Sequence, residues 1–207
     1  PSFSPLPRQP RRPPYQWLKN GILAGGLFPI LWIFVRGGAN LLGANPIAEV
    51  ENELGLGALV FLLAAMACTP ARKLFGWAWP MRIRRELGLF AFFYVCLHVT
   101  TYLLLDKFLD LHAVVSDIIL RPFITVGFAA FVLLIPVAYT SSSYWIRRLG
   151  YDRWQMVHRL TYAAGVLAIV HFTWRAKLVV LQPIVYGIIL AALLLVRVVY
   201  SSRKRRV

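Results

Sequence analysis

The sequence predicts an all-α, polytopic membrane protein: a six-helix transmembrane bundle with both termini on the cytoplasmic side. Three observations carry this expectation. Of 207 residues, 59% are hydrophobic, and the mean hydropathy of +0.64 arises because apolar runs of spanning length recur along the whole chain. The basic residues, which bring the formal net charge to +15, sit in short clusters between those runs. The segments between runs are all under twenty residues and carry no Gly-rich nucleotide fingerprint, so no soluble domain is expected among them.

Six spans follow in order. The first, 17–36, is short and is flanked by Lys19 and Arg36, whose aliphatic stems can snorkel. The second, 54–71, is approached by NPIAEVENE, in which Asn45 reads as an N-cap, Pro46 as the first helical residue and Glu49, Glu51 and Glu53 as acids of the opening turns. The third covers 86–106. Arg121-Pro122 opens the fourth, which runs to Tyr139 and contains Pro136. The fifth is WQMVHRLTYAAGVLAIVHFTW, Trp154 to Trp174, and the sixth covers 178–199. The domain expected is therefore 17–200. Residues 1–16, rich in Pro and Arg, form a disordered basic cytoplasmic tail, and 201–207 form a second basic cytoplasmic tail.

Charge sets the orientation. Sixteen Lys and Arg collect in the two tails and in the connections between spans two and three and between spans four and five. Only Arg36, Lys107, Arg121, Arg175 and Lys177 fall on the other side, together with most of the acids. Basic residues gather on the cytoplasmic face, so the same pattern excludes nucleic acid as the reason for the charge. Cys68 and Cys96 both lie within apolar runs, which excludes a disulfide framework.

Ionisable groups inside spans point to function. His98 lies on the third span, and His158 and His171 lie on the fifth. His98 stands 13 residues beyond Arg85, and His171 stands 13 beyond His158, so His98 and His171 are expected at one level in the outer half of the membrane. Two imidazoles meeting across a bundle core can hold a haem iron by two axial bonds. Zinc would need further ligands, and no other His or acid stands near on either helix. His98 and His171 are thus the predicted metal ligands.

The inner half is less determined. Opposite His158 stand Arg84 and Arg85 instead of a histidine. The alternatives for His158 are a haem with water or an unusual second ligand, a quinone or flavin site, or a structural role. Arg84, Arg85 and Arg159 suit haem propionates, a flavin phosphate or a quinone carbonyl, because a guanidinium can donate two parallel hydrogen bonds to such oxygens. One difficulty is geometric: 13 residues turn a regular helix by about 220°, leaving His158 and His171 about 140° apart around the axis. A distortion near Gly165, or separate sites, would reconcile them. His112, among Asp106, Lys107 and Asp110, reads as an ordinary outer-loop residue. A second class of function uses the membrane histidines as proton relays in a proton-conducting or transport protein.

RRELGLFAFFYVCLHVTTYLLLD on span three, RPFITVG opening span four and the fifth-span stretch together resemble the ferric-reductase-like transmembrane domain. Within it they are similar to the haem-binding membrane subunits of bacterial protein-methionine-sulfoxide reductase systems. NPIAEVE and CTPARK extend the resemblance over residues 15–200. His98, His158 and His171 fall where that family has its haem histidines. The resemblance implies a multi-pass protein of the bacterial inner membrane that takes electrons from the quinone pool or a cytosolic flavin reductase. It passes them through one or two b-type haems to a periplasmic molybdopterin enzyme, which repairs methionine sulfoxide in oxidised envelope proteins. On this reading the chain is an electron-transfer subunit with no catalytic residues of its own, and FMN is a further implied cofactor. Relatives with two histidines on helix three and a C-terminal FAD/NADPH domain differ from this chain, which has Arg84 and Arg85 at the first position.

Overall fold

The computed structural model describes residues 16–176 and 181–204, so most of the expected N-terminal tail, residues 178–180 of the sixth span and residues 205–207 lie outside the described residues. Among the described residues the protein is all-helical, with no strand. The helices are α1 (Gln16–Gly38), α2 (Pro46–Phe75), α3 (Pro80–Thr101), α4 (Leu111–Leu120), α5 (Pro122–Tyr139), α6 (Ser143–Leu149), α7 (Tyr151–Arg175) and α8 (Leu181–Lys204). A π-helical turn, Tyr102–Asp106, continues α3.

Among the described residues, five helices are long and apolar enough to cross a membrane: α1, α2, α3 with its π turn, α5 and α8. The histidine helix α7 is 25 residues long, about 37 Å, which suffices to cross, but Gln155, His158 and Arg159 dilute its apolar character.

Local chemistry explains the ends. Asn45 caps α2 by accepting a hydrogen bond from the Ala48 amide at 3.1 Å, with Pro46 at the first position, as its sequence predicts. This cap extends α2 well before residue 54, to a total of 30 residues. The helix stops where Gly76 takes a left-handed φ of 70°, a conformation that costs glycine least. α3 starts at Pro80, so Arg82, Arg84 and Arg85 lie in its first turns and not in a loop. The connection 107–120, expected as a loop, contains α4, capped by Asp110 accepting from the Ala113 amide at 3.0 Å. The short α6 likewise occupies the connection between α5 and α7.

α2 packs most extensively on α3, and α5 on α7, with α8 against α2 and α7. The central core joins these five helices through Leu59, Leu62, Leu63, Met66, Ala91, Leu134, Ala164 and Leu190. A second cluster, Ile33, Leu54, Ala58 and Tyr94, attaches α1, and the Tyr94 hydroxyl donates to the Gly26 carbonyl at 2.6 Å. Most of the large side chains of α1 remain exposed, including Leu27, Phe28, Leu31 and Phe34, as on a helix whose outer face meets lipid. Lys19 pairs with Glu86 at 3.1 Å at one end of α1, and Arg36 pairs with Glu49 and Glu53 at the other.

Candidate functional site

His98 on α3 and His171 on α7 face each other, with ring centres 6.3 Å apart and planes inclined by 78°. Each imidazole is oriented by a backbone carbonyl: Nδ1 of His98 lies 2.9 Å from the Glu51 oxygen, and Nδ1 of His171 lies 2.7 Å from the Phe123 oxygen. A carbonyl can only accept, so both Nδ1 atoms carry the proton and both Nε2 atoms keep a free lone pair. Glycines make room behind the rings. A Cβ on Gly127 would stand 2.6 Å from Nδ1 of His171, and one on Gly55 would stand 3.3 Å from the His98 ring.

These histidines line a cavity of about 350 Å³ at the end of the bundle expected to face outward. Its walls are chiefly apolar, with Glu51, Arg121 and Arg175 as its charged edge alongside Asp106. The arrangement passes a simple test for a metal with two axial protein ligands. Two imidazole nitrogens bonded at about 2 Å to one metal ion place their ring centres about 6 Å apart, and 6.3 Å is observed. Among the described residues no group of three or more His, Cys, Asp or Glu is placed to hold an ion. The donor set therefore fits a metal that brings its own equatorial ligands, as the iron of a haem does.

A second cavity, about 330 Å³, opens toward the other end of the bundle and is lined by Arg84, Arg85, His158 and Trp154. Leu62 and Leu134 line both cavities and form the wall between them. The 140° offset on α7 is thus accommodated without a break: the helix is continuous, and each histidine opens on its own cavity. His158 is oriented differently from the outer pair. Its Nε2 lies 3.4 Å from the Thr140 hydroxyl, and its ring lies against Trp154, with centres 4.1 Å apart and planes inclined by 35°. Trp154 is itself fixed by donating to the Thr140 carbonyl at 2.9 Å. Arg84 is half-buried and Arg85 is exposed at the rim, whereas Arg159 is exposed and lines neither cavity. His112 is exposed on α4. Sequence reasoning missed Arg197 of α8, which lines the inner cavity. A lone arginine near the end of a span reads as a topology signal, and only the packing of α8 reveals where it turns.

A helical bundle that brings two histidines of different helices to one cavity suits a membrane redox protein, and comparison with known proteins gives the family. The family described as ferric reductase like transmembrane component matches residues 20–169, and the chain belongs to it. Among its relatives are proteins named protein-methionine-sulfoxide reductase heme-binding subunit. That of Rhodospirillum rubrum is 48% identical over 87% of this chain and 86% of its own length. The Herminiimonas arsenicoxydans protein is 46% identical over 95% and 91%, and the Deinococcus radiodurans protein 44% identical over 95% and 96%.

Proposed function

We propose that this chain is the haem-binding, electron-transfer subunit of a protein-methionine-sulfoxide reductase, a six-span protein of the bacterial inner membrane with both termini cytoplasmic. The observation that carries the reading is the pair His98 and His171, with ring centres 6.3 Å apart, each with its Nδ1 held by a carbonyl, and both lining one cavity. A b-type haem bound there would supply one-electron chemistry. The protein's part is to hold and tune. The Glu51 and Phe123 carbonyls fix the tautomer and raise the basicity of both imidazoles. Arg121 and Arg175 at the cavity edge suit the carboxylates of such a group, and the apolar walls keep water from the metal side of the rings.

Electrons enter from the quinone pool or a cytosolic flavin reductase and leave to a periplasmic molybdopterin enzyme, which performs the reduction of methionine sulfoxide. The inner cavity, around His158 with Arg84 and Arg85, is the entry site, where a second haem, a flavin such as FMN or a quinone would dock. Leu62 and Leu134 line both cavities, which brings the entry site next to the outer site.

Haem per polypeptide, measured as the pyridine haemochrome on protein expressed with haem available, tests this. His98→Ala and His171→Ala should each remove the outer haem, while His112→Ala should leave the spectrum intact. One haem per chain in the wild type assigns the inner cavity to another ligand, and two assign His158 as a ligand. Colourless wild-type protein sinks the proposal and favours a proton relay.

A further inference from the structure

Arg197 sits near the inner end of α8, where the default for a long basic side chain is to run outward to the lipid headgroups. It runs the other way. Its Nη1 donates to the Tyr162 hydroxyl on α7, and its Nη2 donates to the Met66 carbonyl on α2 at 2.8 Å. Its guanidinium carbon lies 4.9 Å from the centre of the Tyr162 ring. Met66 is among the most deeply buried side chains of the protein, so the guanidinium is tied into the bundle core. Its Nε is buried and has no hydrogen-bond partner.

The same group lines the inner cavity together with Arg84 and Arg85. Three arginines from two helices therefore line one cavity, and among the described residues no Asp or Glu lines it. A cationic set of this kind, partly withdrawn from water, is costly without a counter-charge. Phe92, Tyr162, Trp154 and His158 add four flat rings to a wall that is otherwise mainly aliphatic, the last two with centres 4.1 Å apart and planes inclined by 35°.

We propose that Arg197, with Arg84 and Arg85, is an anion receptor that takes the phosphate or carboxylate arm of a planar aromatic cofactor in the inner cavity. The inference rests on the functional reading above for the presence of a cofactor there, and it adds the chemistry of that cofactor and the direction of its acidic arm. The arm points inward to α8, against Tyr162, and not outward to the cytoplasmic face. Flavin phosphate and haem propionates share this chemistry.

The test uses the full-length protein in lipid nanodiscs with its outer haem in place. Binding is titrated for FMN against riboflavin, and for haem against haem dimethyl ester, so that each pair differs only in the acidic arm. One pair should show a preference of about tenfold or more for the anionic member, and which pair does so identifies the source of the anion. Arg197→Met should abolish that preference, and Arg197→Lys should restore part of it, with the outer-haem spectrum unchanged. A merely structural Arg197 would lower thermal stability and leave the ratio untouched. Equal binding of charged and neutral members, or a preference that survives in Arg197→Met, overturns the inference. So does binding of a neutral ubiquinone analogue alone. Should Arg197→Met lose the outer haem through misfolding, Arg197→Lys and Arg84→Gln decide: a lowered ratio in both supports the receptor, and an unchanged ratio overturns it. A wild type that lacks the outer haem yet discriminates the anion would sink the electron-transfer reading and leave the receptor standing.

Discussion

At the scale of single residues, the outer site depends on two glycines as much as on two histidines. Gly127 lets α5 approach α7 so closely that a methyl group there would stand 2.6 Å from Nδ1 of His171. Contacts under 3 Å cannot persist, so Gly127→Ala must turn the imidazole away from the Phe123 carbonyl or push α5 outward. Overpacking of this kind costs about 1–3 kcal/mol, which lowers outer-haem affinity about 5- to 150-fold. A haem-transfer competition assay checks this, and undiminished affinity would show that the ring position is not what holds the cofactor. Gly55→Ala, at 3.3 Å from His98, should have the smaller effect in the same assay. The histidines themselves were legible in the sequence, because equal offsets of 13 residues from Arg85 and His158 place them at one depth. The glycines were not, since their role exists only once α5 meets α7 and α2 meets α3. Arg159, expected from its place one turn inside the helix to serve an oxygen-bearing cofactor, is exposed and lines neither cavity.

At the scale of elements, α4 is the part least legible beforehand. A ten-residue apolar stretch between charged neighbours is too short to span, and its cap, Asp110, stands among other charged residues that read as loop. In the fold it roofs the outer cavity through Val114 and Ile118. It is latched there by Asp117, whose carboxylate accepts from Lys107 at 2.8 Å, from the Tyr102 hydroxyl at 3.0 Å and from Arg121 at 3.0 Å. The latch ties the end of α3 to the start of α5. The hydrogen bond from Lys107 is the main reason the Asp117 carboxyl is held below the ordinary value of 3.8, and the same bond raises the Lys107 ammonium. The signs then follow. Asp117 adds stability that is fully present above its unfolded-state value and is lost as pH falls through its depressed native value. Lys107 adds stability that is present below its ordinary value of 10.5 and is lost as pH rises past its raised native value. Asp117→Asn should therefore cost about 1–3 kcal/mol near neutrality and flatten the acid limb of stability below about pH 4. Thermal melts of the detergent-solubilised protein across pH read this directly, and a variant that keeps the wild-type acid limb would assign the loss to other carboxylates. By contrast, the start of α2 was readable to the residue, because Asn45-Pro46 is a local signal that needs no tertiary partner.

At the scale of the whole molecule, the decisive question is whether α7 crosses. Among the described residues, five helices meet the length and composition expected of spans, and α7 meets only the length. Its composition is explained by what it faces. Its polar residues His158 and His171 open on internal cavities, and its midpoint, Ala164 and Gly165, is buried against α8 and Met66. A helix shielded by neighbours needs less apolar surface than one bathed in lipid. With α7 crossing, six spans return both termini to the side that carries sixteen basic residues. Single cysteines in a background lacking Cys68 and Cys96 test this in intact spheroplasts with a membrane-impermeant maleimide. Cysteines replacing Asn40 and His112 should label from outside, and those replacing Ala78 and Ser142 only after permeabilisation. Replacement of Ala176, just beyond the end of α7, carries the most information. Outside labelling there places His171 and His98 together in the outer half, 13 residues along α7 from His158. Labelling only from inside would mean that α7 does not cross, the sixth crossing would vanish, and a route for electrons from one membrane face to the other would lose its structural basis.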